Sequence, residues 1–133
     1  MSDAKPIPVE KTAVALEHKH TRPLTACHWD QSSRYVFFGA EDHLVHRFEV
    51  ATQKVVPFTA HDSWVRGMAT SLDGETLYTA GYDGRLMFWP ASADKPEPIH
   101  NIEAHAGWVR TVIVSPDGKL VATCGNDRLV KIW

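Results

Sequence analysis

The sequence predicts an all-β protein built from repeated units, and three observations support this fold class. First, residues 60–89 and 104–133 align without a gap at an offset of 44 residues and are identical at 12 of 30 positions. Second, short apolar or β-branched segments alternate with polar turns throughout both copies. Third, no stretch has a convincing helical period. An internal repeat of this length indicates one supersecondary unit that is stacked several times.

A third, more diverged copy precedes these two and spans residues 20–48. It keeps His20 and Asp42 22 residues apart, which is the separation of His61 from Asp83 and of His105 from Asp127. The offset from this copy to the next is 41 residues. The conserved spacing indicates that all three copies adopt the same fold.

Each copy divides into short strands. Asp73-Gly74 and Asp117-Gly118 predict two-residue hairpin turns between the first and second strands, and Asp83-Gly84 predicts the next turn. In the second copy the predicted first three strands are Val65–Ala69, Leu77–Ala80 and Leu86–Trp89. Fourth strands are predicted at Lys54–Phe58 and Pro98–Ile102, and the proline-rich segment 93–98 leads to the second of these.

These repeats, with a histidine early and a tryptophan late in each period, resemble the WD-repeat family over about residues 13–133. The family's unit is a four-stranded antiparallel blade, so the resemblance implies a partial β-propeller of about three WD-type blades, the last one truncated. We expect five segments along the chain. Residues 1–12 form a flexible N-terminal tail, and 13–19 form the outer strand of an incomplete blade. They are followed by a diverged blade at 20–59, a blade at 60–103, and a blade that lacks its outer strand at 104–133.

The same resemblance implies a buried hydrogen-bonded tetrad in each intact blade. Its members are a histidine, a threonine, an aspartate and a tryptophan, and they satisfy one another's polar groups. Carried onto this sequence, the tetrads are His61, Thr79, Asp83, Trp89 and His105, Thr123, Asp127, Trp133. The first copy has Phe38 and Phe48 at the threonine and tryptophan positions. Only a partial tetrad of His20 and Asp42 is therefore expected there, in a less polar and weaker blade.

Composition excludes several classes of function. The 133 residues carry a net charge of -2, and the basic residues are scattered, so no nucleic-acid or membrane partner is indicated. No apolar run approaches the ~20 residues of a membrane span. The N-terminus lacks the apolar region of a secretory signal, which favours an intracellular, cytoplasmic location. Cys27 and Cys124 are expected to be buried free thiols.

The sequence disfavours a catalytic and a metal-binding alternative. A row of threonine, histidine and aspartate resembles a hydrolase triad, but a threonine inside a central strand of two blades indicates packing instead. The pairs His18/His20 and His43/His46 could chelate a metal weakly, yet no histidine and cysteine quartet has zinc-ligand spacing. No cofactor and no metal are therefore expected.

The repeated Trp-Val-Arg at the start of each inner strand is the best candidate for partner binding. Tryptophan and arginine are enriched in interaction hot spots, and residues just before the turn aspartates should lie on the same rim. The candidate residues are Trp64, Arg66, Tyr82, Trp108, Arg110 and Asn126. Alternatively, the tryptophans only cover the neighbouring blade and the arginines are merely solvated.

The function predicted from these features is a non-catalytic scaffold that binds protein or peptide partners. We expect the chain to be the N-terminal fragment of a longer propeller protein, which needs further blades in the same chain or self-association to complete its ring. The alternative is that it forms the sensor or substrate-recruiting arm of a larger multidomain enzyme. A small-ligand sensor is disfavoured because the inner strands VRGMAT and VRTVIV are apolar.

Overall fold

The computed structural model describes residues 5, 6 and 8–133 of the chain. Within these residues, eleven β-strands form three antiparallel sheets, and each strand pairs with its neighbours in the sequence. We call the sheets the first, second and third blades. No helix in the described part of the chain is long and apolar enough to cross a membrane.

The strand boundaries are as follows. The first blade consists of β1 Leu24–Trp29, β2 Tyr35–Ala40, β3 Val45–Glu49 and β4 Val55–Phe58. The second consists of β5 Val65–Thr70, β6 Thr76–Gly81, β7 Arg85–Pro90 and β8 His100–Glu103. The third has the three strands β9 Val109–Val114, β10 Val121–Gly125 and β11 Val130–Ile132.

The blades pack face to face around their first strands. β5 lies between β1 and β9, so the three first strands are neighbours on the inner side of the arrangement. Between the first two blades, Phe37 and Phe58 pack with Met87 and Trp89 in one apolar cluster. A second cluster, which includes Leu86 and Val109, joins the second and third blades. The predicted all-β fold, a partial propeller of three blades, is thereby confirmed.

A buried arginine ties the outer parts of the first two blades together. Arg47 on β3 is only 4% exposed, and its Nη1 donates to the backbone carbonyls of Ala91 and Ala93 at 2.7 and 2.8 Å. Its guanidinium also lies over the ring of Tyr35, 4.9 Å from the ring centroid. The hydrogen bonds satisfy the buried cation and anchor the loop that follows β7.

The turns between the first and second strands are longer than predicted. β5 ends at Thr70 and β6 begins at Thr76, so the two-residue turn at Asp73-Gly74 is wrong. The Ser71 hydroxyl and the Glu75 N–H both donate to Asp73, and these bonds organise a wider loop. Gly74 takes a left-handed φ of 75° within it. The loop at Asp117-Gly118 repeats this pattern.

The N-terminal segment differs from the expectation as well. Residues 13–19 form no strand, and a short 3-10 turn occupies Val9–Lys11. A strand needs a neighbour that takes up its backbone hydrogen bonds, and none of the three sheets offers one at this segment. The outer strand expected at 13–19 belongs to a blade other than these three, so it stays a prediction. Residues 1–4 and 7 of the expected flexible tail lie outside the described residues.

Both cysteines are free, but their burial differs from the expectation. Cys27 on β1 is exposed and Cys124 on β10 is half-buried. Cys27 lies on the open face of the first blade, where no neighbouring blade covers it.

Candidate functional site

The second blade contains a continuous relay of hydrogen bonds from an indole to a carboxylate. Trp89 Nε1 donates to Thr79 Oγ1 at 2.8 Å, and the Thr79 hydroxyl lies 2.7 Å from His61 Nε2. His61 Nδ1 in turn lies 2.8 Å from Asp83 Oδ2. Because the Thr79 oxygen accepts from the indole, its proton points to His61 Nε2, and His61 donates from Nδ1 to Asp83. Every polar group in the relay then has one partner.

Asp83 ends the relay and also closes the turn behind it. Its oxygens accept the backbone N–H groups of Asp62 at 3.0 Å and Arg85 at 3.1 Å. Burial alone would raise the pKa of this carboxyl, but the hydrogen bonds from His61 and the two backbone groups together lower it below its ordinary value. Asp83 is therefore ionised and links the start of the blade to its second turn.

The third blade repeats the relay atom for atom. Trp133 Nε1 donates to Thr123 Oγ1 at 2.9 Å, and Thr123 Oγ1 lies 2.8 Å from His105 Nε2. His105 Nδ1 lies 2.9 Å from both oxygens of Asp127. Both tetrads expected from the sequence are thus present as hydrogen-bonded units.

The first blade has a different arrangement from the single His20–Asp42 contact expected there. His20 Nε2 lies 3.0 Å from Asp42 Oδ2, and His46 Nε2 on β3 lies 2.9 Å from the same oxygen. Phe38 replaces the threonine, and its ring stacks on His46 with the centroids 5.0 Å apart. The expected His20–Asp42 contact is present, and His46, which is not at a tetrad position, gives Asp42 a second polar partner.

The hydrolase reading of the tetrads fails on accessibility. Thr79 is fully buried, and its hydroxyl is held between the Trp89 indole and the His61 ring. A nucleophile has to reach a substrate carbonyl, whereas this oxygen is enclosed on all sides. The relay is a structural element.

Neither histidine pair considered as a chelate in the sequence forms one. The His18 ring packs at a tilt against Phe38 and Phe48, with centroid distances of 5.7 and 5.0 Å, and His43 is exposed in the turn before β3. The residues that do converge are His20, Asp42 and His46, one from each candidate pair and the aspartate between them. Sequence reasoning missed this because His20 is 22 residues from Asp42, and only the fold of the blade brings the two together. Alignment of His46 with Met87, at the 41-residue offset, would have shown that this histidine is peculiar to the first copy.

The candidate partner-binding residues form one surface that bridges the second and third blades. Tyr82 stacks flat on Trp108, with ring centroids 4.3 Å apart and planes 5° from parallel. Arg110 donates from Nε to Asn126 Oδ1 at 2.8 Å and from Nη1 to Tyr82 Oη at 2.9 Å. Its guanidinium carbon also lies 4.9 Å from the Trp108 ring centroid. We call this set, together with Trp64 and Arg66, the aromatic-arginine surface.

The two remaining members extend this surface over the second blade. Arg66 Nη1 lies 3.4 Å from Tyr82 Oη, and the Trp64 ring centroid lies 6.3 Å from that of Tyr82. Trp64 is 37% exposed and Trp108 44% exposed. The alternative, in which the tryptophans only cover the neighbouring blade, holds in part, because Trp108 contacts Tyr82 of the second blade. The alternative of a merely solvated arginine does not fit Arg110, whose position is set by three neighbours.

Comparisons with known proteins agree with this architecture. The sequence pattern described as "WD domain, G-beta repeat" matches residues 52–90 and 96–133. The Saccharomyces cerevisiae protein named "Antiviral protein SKI8" is 53% identical over 30 residues, which are 23% of this chain and 8% of that protein. The matched family segments run from the fourth strand of one blade through the third strand of the next, and they leave most of the first blade unmatched.

Solved structures share the fold at low sequence identity. Those titled "Structure of U3-55K" and "Crystal structure of RRP9 WD40 repeats" each superpose with a TM-score of 0.78 at 21% identity over 87% of this chain. The chain spans 37% and 36% of their respective lengths. Since the family pattern covers more than half of the residues and both tetrads are in place, this chain belongs to the WD domain, G-beta repeat family.

Proposed function

We propose that the chain is a non-catalytic interaction scaffold and that its contact site is the aromatic-arginine surface. WD-repeat proteins generally bind other proteins, and the stacked pair Tyr82–Trp108 is the single observation that supports this site most strongly. The pair is already ordered across two blades while Trp108 remains 44% exposed. A partner would meet a rigid aromatic platform and would not have to order it, which lowers the entropic cost of binding.

The charge of this surface supports a partner segment that carries carboxylates. Within the described residues, Arg66 and Arg110 have no carboxylate within 4.0 Å, and their hydrogen-bond partners are the neutral Tyr82 and Asn126. Each guanidinium group keeps N–H donors that these bonds do not use. Such donors favour a planar acceptor, for example the carboxylate of aspartate or glutamate. We therefore propose an acidic peptide segment with an aromatic or apolar neighbour as the ligand class.

Peptide selection tests this proposal. A library of random peptides displayed on phage is selected on the protein, and the enriched peptides are measured against three variants. Arg110→Glu and the double variant Arg66→Glu/Arg110→Glu reverse charge on the surface, and we expect each to weaken binding at least tenfold, or about 1.4 kcal/mol. Lys119→Glu is the matched control, because it reverses one exposed charge in the loop at the other end of β9. Enriched peptides that are not acidic, or that bind all variants equally, would contradict the proposal.

We also infer that further blades complete the arrangement, in the same chain or in another copy. One support is an exposed apolar face of the first blade, where Leu24 and Trp29 are 52% and 55% exposed. The other is that this chain spans only 37% of the length of a solved structure with the same fold. If the chain is the recruiting arm of a larger enzyme, the aromatic-arginine surface would serve as its contact site in the same way.

An intracellular location is proposed because Cys27 and Cys124 are both free thiols. Imaging of the tagged full-length protein tests this location.

A further inference from the structure

The first blade gathers three metal-ligating side chains at one point. The ligand atoms of His20, Asp42 and His46 all lie within 4.8 Å of one another. Both imidazole Nε2 atoms face the same Asp42 oxygen, at 3.0 and 2.9 Å, and the two rings lie 4.5 Å apart between centroids. Two nitrogen atoms and one carboxylate oxygen thus converge on a small volume.

This convergence is specific to the first blade. In the strand register, His46 lies opposite Phe38, just as Met87 lies opposite Thr79 and Lys131 opposite Thr123. The other blades therefore have a thioether or an ammonium group where the first has an imidazole. Their tetrad histidines, His61 and His105, use Nε2 to bind threonine and turn Nδ1 to the aspartate, whereas His20 turns Nε2 to Asp42.

We propose that His20, Asp42 and His46 bind one divalent transition-metal ion of the zinc type. A tetrahedral ion with bonds of about 2.0–2.2 Å needs roughly 3.3 Å between its ligand atoms. The two nitrogen–oxygen pairs, at 3.0 and 2.9 Å, therefore have to separate by only a few tenths of an ångström. Two imidazoles and one carboxylate favour zinc, cobalt or nickel over calcium and magnesium, which prefer oxygen ligands. The side chains of His20 and Asp42 are 15% and 24% exposed, which leaves an entry path and a position for a water molecule.

Cobalt(II) titration of the tag-free protein tests the site directly. We expect one Co²⁺ per chain with the visible absorption of a tetrahedral ion, and displacement of that ion by Zn²⁺. His46→Met copies the second blade and His46→Gln keeps an N–H donor toward Asp42, so both preserve folding while removing the imidazole. We expect each to weaken Co²⁺ and Zn²⁺ binding at least tenfold. His43→Asn changes an exposed histidine in the same turn and should leave affinity unchanged.

A second measurement separates binding from folding. Zn²⁺ should raise the Tm of the wild-type protein and of His43→Asn, but not that of either His46 variant, with circular dichroism showing the same β-sheet content in all four. The proposal is overturned if folded wild-type protein takes up no Co²⁺ or if the His46 variants bind as tightly as wild type. A cobalt–thiolate absorption band would also overturn it, because it would assign the metal to Cys27 or Cys124.

Discussion

Ala40 in the first blade occupies the position that Gly81 occupies in the second. Each ends the second strand of its blade, and in both blades its carbonyl accepts the N–H that closes the following turn. A methyl group built on Gly81 would lie 2.8 Å from both His61 Nδ1 and Asp83 Oδ1. The glycine is thus what allows the histidine to approach its aspartate through Nδ1, and Gly125 leaves the same room beside His105.

Gly81→Ala should therefore destabilise the protein. The added methyl forces the His61 ring away from Asp83, and the loss of a buried, charge-assisted hydrogen bond costs about 1–3 kcal/mol. Urea denaturation followed by tryptophan fluorescence measures this change. The reverse substitution Ala40→Gly is the control, and it should cost no more than about 1 kcal/mol. Equal stability of Gly81→Ala and wild type would contradict the steric argument.

Thr79→Val removes the central oxygen of the relay while keeping the shape of the side chain. Trp89 Nε1 and His61 Nε2 would both lose their buried partner, so we expect a loss of about 1–3 kcal/mol in the free energy of unfolding. Thr79→Ser keeps the hydroxyl and should therefore retain most of the stability that Thr79→Val loses. Thr111→Val, on the exposed side of β9, is the matched control. If Thr79→Val and Thr111→Val were equally stable, the relay would have no energetic role.

The relay also predicts a specific loss of stability in acid. Because folding lowers the pKa of Asp83, the stabilisation is complete above the ordinary aspartate pKa of about 3.9 and is lost as the pH falls through the lower folded value. Free energies of unfolding measured between about pH 6 and pH 3 should fall less in Asp83→Asn than in wild type. Identical pH dependence of the two proteins would show that Asp83 is not stabilised as its carboxylate.

The open blade faces predict self-association of the chain on its own. Leu24 and Trp29 are exposed on the first blade, and Ile113 and Ile132, 59% and 61% exposed, on the third. Apolar patches of this kind associate or aggregate in water. Sedimentation velocity should find dimers or larger species that decrease in Trp29→Arg and Ile132→Lys. A concentration-independent, folded monomer would contradict this expectation.

How far the sequence predicts the structure differs between the blades. In the second and third, turn aspartates and the Trp89 and Trp133 anchors recur at fixed spacing, so the tetrad that the family resemblance implies could be carried onto both blades residue by residue. In the first blade Phe38 replaces the threonine, and the compensating His46 lies on β3, whereas His20 lies before β1 and outside any strand. The contact of His20 with Asp42 joins residues 22 positions apart, so no local pattern indicates it.

Turn geometry was the other feature that local patterns misjudged. Asp-Gly is a strong signal for a two-residue turn, but at Asp73 the side-chain bonds with Ser71 and Glu75 stabilise a longer loop. The contact between Tyr82 and Trp108 likewise depends on how adjacent blades pack. The sequence could place both residues on one rim, but it could not show that they stack.

Two indole groups are held inside their blades by threonine, whereas those of the other tryptophans are not. Trp89 and Trp133 donate to Thr79 and Thr123, whereas the other three tryptophans are 37–55% exposed. Hydrogen exchange of the five indole N–H groups, followed by NMR, measures this directly. We expect slow exchange for Trp89, intermediate exchange for Trp133 and fast exchange for the other three, with Trp89 becoming fast in Thr79→Val. Rapid exchange of the Trp89 indole in the folded wild-type protein would show that Thr79 does not hold this indole.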